Sequence, residues 1–262
     1  MRTIVPVRRF LALVLAAASC ASRADEAPTN RIRAEATSRI IADVVRAVGG
    51  SKLDATVPLG TVEGLPAEVV FANGIGPETP LRTPPGGARV VRLSEGCSLR
   101  RAGQEIDPHV WLDPLNVLTC VRSIDQALVE LRPQWSPVFR ENARRYEGEL
   151  WALDRWIKQQ VEKVPSFRRK MVSDEAGFGY FADRYGFSFA RWHPADVVSQ
   201  AAEPAPPQTV FTDEGRPREP RAGVSFVALQ ITMPAESGTE GAPATYLDMM
   251  RRNAEAVADA LK

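Results

Sequence analysis

Hydrophobic residues recur along this chain with two alternating periods, one typical of strands and the other of helices. Short β-branched runs bounded by Gly, Pro or Asn predict four strands in the first third of the chain, at 31–35, 54–58, 67–72 and 88–93. Apolar residues three and four positions apart predict a helix at 37–48, closed by Gly49-Gly50, and another at 115–131. Strands that alternate with helices favour a parallel sheet covered by helices.

The longest periodic stretch runs from Ser136 to about Val164. Ser136 is expected to cap this helix, with Pro137 in its first turn. Seven apolar residues fall on one face: Phe139, Ala143, Tyr146, Leu150, Leu153, Ile157 and Val161. The helix would be about 40 Å long, more than a small domain needs, and is suited to joining two lobes. A coiled coil is the alternative, which Gly148 and the single uninterrupted stretch disfavour.

The last third of the chain repeats the strand and helix pattern. Strands are predicted at 170–174, 187–192, 209–213 and 224–230, and helices at 176–185 and near the C-terminus. The pattern therefore predicts an α/β protein of two lobes, each a small, mainly parallel sheet flanked by helices, joined by one long connecting helix. Its expected parts are an N-terminal lobe at 25–135, the connecting helix at 136–164 and a C-terminal lobe at 165–262.

The N-terminal segment has the pattern of a secretory signal. Three arginines precede a short apolar run at 10–18, which is too short to span a membrane as a helix. The small residues Ser22 and Ala24 favour a signal peptide of residues 1–24. Lipidation of Cys20 is the alternative, disfavoured because Ala17 stands where a lipobox normally carries leucine. The chain is therefore expected to be exported to the periplasm.

The net charge and the cysteines of the chain limit which partners and which redox state are expected. The formal net charge of +1 falls to about −3 without residues 1–24, which carry four arginines and no acidic residue. A mildly acidic chain gives no electrostatic reason to expect nucleic acid. Export to an oxidising compartment favours a disulfide between Cys97 and Cys120, with two buried free thiols as the alternative.

The segment Asp107-Pro108-His109-Val110-Trp111-Leu112-Asp113-Pro114 holds one of only two histidines. Asp113 and Pro114 predict an N-cap and a first-turn proline, which places His109 on a short rigid segment before a helix. An isolated histidine there is more often a hydrogen-bonded structural residue than a metal ligand. No nucleophile elbow, zinc-protease motif or phosphate-binding loop is present, so we do not expect an enzyme.

Several stretches together resemble the zinc- and manganese-class substrate-binding proteins of bacterial ABC importers. The matching segments, in the family's order, are 40–50, 70–76, 91–96, 107–114 (DPHVWLDP), 141–157, 178–186 (FGYFADRYG) and 245–258. The resemblance implies a two-lobed binding protein with a cleft between the lobes and little hinge motion. It also implies a bound zinc or manganese ion, held by histidines and carboxylates, and delivery of that ion to an ABC permease in the inner membrane.

Carried over residue by residue, the resemblance leaves an altered metal site. His109 matches the family histidine of DPHVWLDP, and Glu175, with Asp174 beside it, stands where a further histidine is usual. Gln230 falls near the place of the aspartate ligand, and the earlier histidine motif is absent from the shortened segment 57–66. These changes predict a weak, oxygen-rich site or no metal binding at all.

His193 and Asp213-Glu214 are further candidates near the predicted cleft. His193 directly follows the predicted strand at 187–192. It is either a metal ligand or an ordinary surface histidine. Asp213 and Glu214 end a strand, where cleft ligands gather in open α/β sheets, although turn-forming residues explain them equally well. The expected protein is a monomeric solute-binding component of a metal importer, which captures a divalent cation or a metal chelate between its two lobes. The alternative is a degenerate accessory protein that binds another exported protein and no metal.

Overall fold

The computed structural model describes residues 31–57, 67–76, 87–192, 209–214, 224–233 and 244–262. The predicted signal segment and His193 lie outside the described residues. Within these ranges, no helix combines the length and the hydropathy needed to cross a membrane.

The first sheet is parallel and four-stranded. Its elements are β1 (Ile32–Ala36), α1 (Arg39–Gly49), β2 (Leu53–Thr56), β3 (Val69–Ala72) and β4 (Arg89–Arg92). The strand order is β2-β1-β3-β4, and every pairing is parallel. The Ser38 side chain accepts a hydrogen bond from the Ile41 amide and caps α1, while Gly50 ends it with φ of 55°.

A hairpin that the hydrophobic pattern does not predict follows this sheet. It consists of β5 (Arg101–Ala102) and β6 (Glu105–Ile106), which pair antiparallel around Gly103. Two-residue strands are too short to show a period. Helix α2 (Pro114–Leu131) begins as predicted, because the Asp113 side chain accepts a hydrogen bond from the Leu115 amide.

The long helix α3 (Ser136–Glu162) is present, and all seven residues of its predicted apolar face are buried. Its predicted start is wrong in one respect. Trp135 occupies the N-cap position, and Ser136 lies inside the helix, where its hydroxyl donates to the Pro133 carbonyl. A 3-10 turn at Pro133–Trp135 leads directly into α3, so no side-chain cap is formed.

The second sheet repeats the parallel arrangement. Its elements are β7 (Lys170–Ser173), α4 (Phe178–Tyr185), β8 (Ser188–Arg191), β9 (Thr209–Asp213), β10 (Ser225–Leu229) and the terminal helix α5 (Tyr246–Leu261). The order is β10-β9-β7-β8, all parallel. Parallel strands place their carboxyl ends at one edge, which here carries Asp174, Glu175, Glu214 and Gln230.

One apolar core connects the two sheets. The largest cluster of buried side chains includes Phe71 of the first sheet, Phe211 of the second sheet, and Leu150 and Leu153 of α3. The predicted α/β fold with parallel sheets flanked by helices is confirmed. The predicted lobe boundaries stay a prediction, and residues 31–262 form one compact unit.

Candidate metal site

His109 is held by a buried carboxylate from its own segment. Its Nδ1 lies 2.6 Å from Asp107 Oδ1, and its amide donates to the same oxygen over 3.1 Å. The Asp107 side chain has no exposed surface, whereas 24% of the His109 side chain is exposed. With Asp107 ionised and the ring neutral, Nδ1 is the nitrogen that carries the hydrogen, and Nε2 then offers its lone pair. Metal-binding histidines are commonly oriented in this way.

Main-chain contacts fix the segment that carries this pair. Asn73, at the end of β3, donates from its side chain to the Pro108 carbonyl over 2.8 Å. The Tyr180 hydroxyl, on α4, donates to the Asp107 carbonyl and accepts from the Arg100 amide, both over 2.9 Å. Burial raises the pKa of this hydroxyl. The segment is therefore anchored to both halves of the molecule.

Arg100 lies across the start of α4 and supplies positive charge beside Asp107. Its guanidinium stacks over Phe189 at 4.9 Å and donates to Asp183 over 2.9 Å. It also lies 3.9 Å from Asp107 Oδ2. A Cβ at Gly179 would come within 2.1 Å of the guanidinium carbon, so the Arg100 side chain would have to shift to accommodate any other residue there.

The imidazole ring of His109 packs directly on Gly177. A Cβ built on Gly177 would lie 2.6 Å from His109 Cγ and 2.7 Å from Nδ1. Trp111 contacts the ring edge-on at 5.5 Å between centroids, and its indole donates to the Ile231 carbonyl over 2.8 Å. His109 thus packs on Gly177, which lies two residues after Glu175 at the start of α4. Trp111, two residues after His109, contacts Ile231, which follows Gln230.

Alanine at Gly177 is expected to displace the His109 ring, because the neighbour is a side chain already fixed by Asp107. We expect about 1–3 kcal/mol of destabilisation from overpacking, measured by denaturant unfolding, together with weaker metal binding. Gly148, in α3, is the matched control, since no atom lies within 4 Å of its added Cβ. Alanine there should stabilise the helix by about 1 kcal/mol. Equal behaviour of the two variants would contradict the contact.

Other predicted ligands lie along the carboxyl edge of the second sheet. The Glu175 amide donates to Ser173 Oγ over 3.0 Å. Asp174 accepts from Thr212 through its side chain and from Arg191 through its carbonyl. Among the described residues, no three His, Cys, Asp or Glu side chains are grouped closely enough to hold a metal ion. The predicted set of His109, Glu175, Asp174 and His193 stays a prediction.

Gln230 is buried at the same edge, with 8% of its surface exposed. Its side-chain nitrogen donates to Glu214 over 2.5 Å, and its main chain is held by Asn253 of α5. Within the described ranges, Gln230 Oε1 is buried without a hydrogen-bond partner. An amide oxygen in this state can accept a hydrogen bond or bind a hard cation.

The disulfide predicted between Cys97 and Cys120 is not formed in the structure. The sulfur atoms lie 4.0 Å apart, about twice the length of a disulfide bond. Both thiols instead approach the Leu93 carbonyl, at 3.3 Å and 3.5 Å. The hydrogen bond from Cys120 lowers the pKa of Cys97, and the same contact, with burial, raises that of Cys120. The structure therefore has the alternative state, two free thiols.

Two features were not identified as part of the site from sequence. Sequence reasoning gives Asp107 no role of its own, although its position two residues before His109 allows the contact seen here. The role of Arg100 depends on α4, some eighty residues later in the chain, and no sequence spacing indicates that contact.

Two parallel sheets linked by a long helix, with an oriented histidine where the segments of both halves meet, define a two-lobed substrate-binding protein. The model of the family called zinc-uptake complex component A, periplasmic, matches residues 65–214. That match covers more than half of the chain, and the chain belongs to this family. It is a substrate-binding protein of the metal ABC transporter class and not an enzyme.

Individual relatives agree with this assignment. The manganese ABC transporter substrate-binding lipoprotein PsaA of Streptococcus mitis is 25% identical, over 96% of both chains. The manganese-binding lipoprotein MntA of Halalkalibacterium halodurans is 27% identical, over 94% of this chain and 95% of that protein. The periplasmic zinc binding protein TroA from Treponema pallidum has the same fold, with a TM-score of 0.71 and 24% identity over 88% of this chain and 99% of TroA.

Proposed function

We propose that this protein binds one divalent cation between its two lobes and delivers it to an ABC permease in the inner membrane. The observation that carries the proposal is the Asp107–His109 hydrogen bond, which leaves Nε2 available for a metal. The buried environment of Asp107 and the packing on Gly177 hold the ring in one orientation before any ion arrives. Such preorganisation is of little use to a purely structural surface histidine.

The proposed ligands are His109 and Glu175, with Asp174 or His193 completing the shell. One imidazole with carboxylate oxygens favours a harder ion than an all-histidine site does. The buried side-chain oxygen of Gln230 would add a neutral oxygen donor to the carboxylate oxygens. Relatives named for manganese support Mn(II), and the family name supports Zn(II). Because the earlier histidine motif is missing, we propose weak binding of either ion.

The accessory role remains the second candidate. Among the residues that the structure describes, no three His, Cys, Asp or Glu side chains lie close enough together to hold a metal ion, which favours this role. In that role the protein would keep the fold of an importer subunit and bind another exported protein. The two candidates differ in whether the purified protein takes up metal.

For localisation, we propose attachment of a lipid at Cys20. The curated relatives are named as lipoproteins, which supports Cys20 over cleavage after Ala24 as the processing site. Either route leads to export, and the lipid would also hold the protein at the membrane that contains the proposed permease. The monomeric state stays a prediction.

Titration of the metal-free protein with Mn(II) and Zn(II) tests the proposed function. We expect one ion per chain, and about tenfold weaker binding in Glu175→Gln, because a charged carboxylate ligand is replaced by a neutral amide oxygen that still coordinates weakly. Glu162→Gln, at the exposed end of α3, is the control and should bind as the wild type does. A tight complex that survives Glu175→Gln would overturn the ligand assignment. No uptake of either ion by the wild type would favour the accessory role.

A further inference from the structure

The segment between α3 and β7 combines positive charge with an exposed aromatic ring. Residues 163–170 read Lys-Val-Pro-Ser-Phe-Arg-Arg-Lys and contain four basic residues and no acidic one. Phe167 lies in a one-turn 3-10 helix at Ser166–Arg168 and is 84% exposed. The other exposed large hydrophobic residues of the described chain reach 45% at most. We call residues 163–170 the basic loop.

The cations of the basic loop are not neutralised by side-chain carboxylates. Lys163 donates to the Gln160 side chain, and Arg169 donates to the Val164 carbonyl. Arg168 donates to the main-chain oxygen of Lys262, the last residue of the sequence, whose terminal carboxylate offsets one positive charge. In the part of the chain that the structure describes, no carboxylate side chain forms an ion pair with these three or with Lys170. Glu162 precedes the loop, and Asp259, at the end of α5, pairs with Lys262. The loop therefore presents net positive charge around Phe167.

We propose that the basic loop binds the surface of a membrane that contains anionic phospholipid, with Phe167 inserted at the level of the headgroups. A single exposed apolar residue is ordinary in itself. Surrounded by basic side chains, it matches the composition of interfacial anchors, in which an apolar ring enters the membrane and cations contact lipid phosphates. An acidic protein would need a preformed pocket for the ring, whereas a membrane interface needs none.

The position of the loop is compatible with metal binding. Lys170 is the first residue of β7, and Glu175 follows the other end of that strand. A four-residue strand separates the two by about 13 Å. A membrane on the basic loop would therefore leave the carboxyl edge of the second sheet open to solvent. The proposal does not depend on the proposed function.

Vesicle flotation of residues 31–262, which form one compact unit, tests the proposal without any lipid anchor. We expect binding to phosphatidylglycerol vesicles and none to phosphatidylcholine vesicles. Phe167→Ser should lower the partition coefficient roughly tenfold. Arg168→Gln with Lys170→Gln should lower it about 25-fold, because each basic residue near an anionic surface contributes about fivefold.

Two controls isolate the basic loop from other exposed residues. Trp151→Ser removes an exposed aromatic side chain from α3, and Arg140→Gln with Arg145→Gln removes two exposed cations from the same helix. Both should float as the wild type does. Equal flotation of the wild type with the two lipids would overturn the proposal. The proposal would also be overturned if Phe167→Ser floats as well as the wild type does. Attraction by charge alone, to lipid or to an acidic protein, would then explain the binding.

Discussion

Replacing His109 with alanine is expected to weaken binding of Mn(II) or Zn(II) about a hundredfold. A four-ligand zinc site supplies about 10–16 kcal/mol, so one ligand contributes roughly 3 kcal/mol, which is about two orders of magnitude in affinity. His109 is half-buried and makes its ring hydrogen bond only with Asp107 within its own segment. The variant should therefore fold normally, and calorimetric titration measures the loss directly.

Asp107→Asn is the companion variant. The amide keeps the shape of the side chain but no longer supplies a charged acceptor to Nδ1, and loss of such a partner typically costs 10- to 100-fold in metal affinity. The graded order of wild type, Asp107→Asn and His109→Ala is the expected result. If His109→Ala binds metal as tightly as the wild type, the ligand role of His109 is wrong. If only Asp107→Asn is unaffected, the orienting contact has no effect on binding.

Replacing Asp154 with alanine is expected to cause the largest loss of stability. Asp154 lies on α3 and is 1% exposed, and it accepts two hydrogen bonds from Arg184 of α4, over 2.9 Å and 2.8 Å. Lys158 lies 2.9 Å from its other oxygen. Removing one member of a buried pair leaves the other charge uncompensated and costs about 3–5 kcal/mol. Because Arg184 retains some solvent contact and also lies 3.6 Å from Asp113, we expect the lower end of this range.

Urea unfolding of Asp154→Ala measures the free energy of unfolding. The Glu141–Arg144 pair, on the exposed surface of the same helix, is the matched control, and Glu141→Ala should cost less than about 1 kcal/mol. The double variant Asp154→Leu with Arg184→Met should recover much of the stability, because an apolar pair can replace a buried ion pair. A loss in Asp154→Ala no larger than that in Glu141→Ala would show that the pair contributes little.

The hydrophobic period was sufficient to predict the regular elements. The face that contains Leu150 and Leu153 repeats at helical spacing for about six turns, from Phe139 to Val161, and every member is buried. Local chemistry predicted the start of α2, since Asp113 and Pro114 are adjacent in sequence. It failed at Ser136, where the preceding 3-10 turn changes the local geometry. The β5–β6 hairpin escaped prediction because its four paired residues are too few for any period.

The site was less predictable because its contacts join distant segments. His109 was found from its motif, but its packing on Gly177 joins residues that are 68 positions apart. The disulfide was expected from the compartment alone, whereas the spacing of Cys97 and Cys120 is set by how α2 packs beside the end of β4. Ligands that lie at strand ends are positioned by the whole sheet, and a single sequence does not give that position.

The shared apolar core of the two sheets has a consequence for protein engineering. Phe71, Phe211 and Leu150 belong to one cluster, while Glu175, Glu214 and Gln230 follow the ends of their strands. Substitutions at the strand ends leave that cluster intact, so stability and the donors of the proposed metal site can be altered separately. Histidine or aspartate introduced at Gln230 or Glu214 would change the donor set on an unchanged scaffold. The same separation allows a lineage to lose one ligand after another without losing the fold.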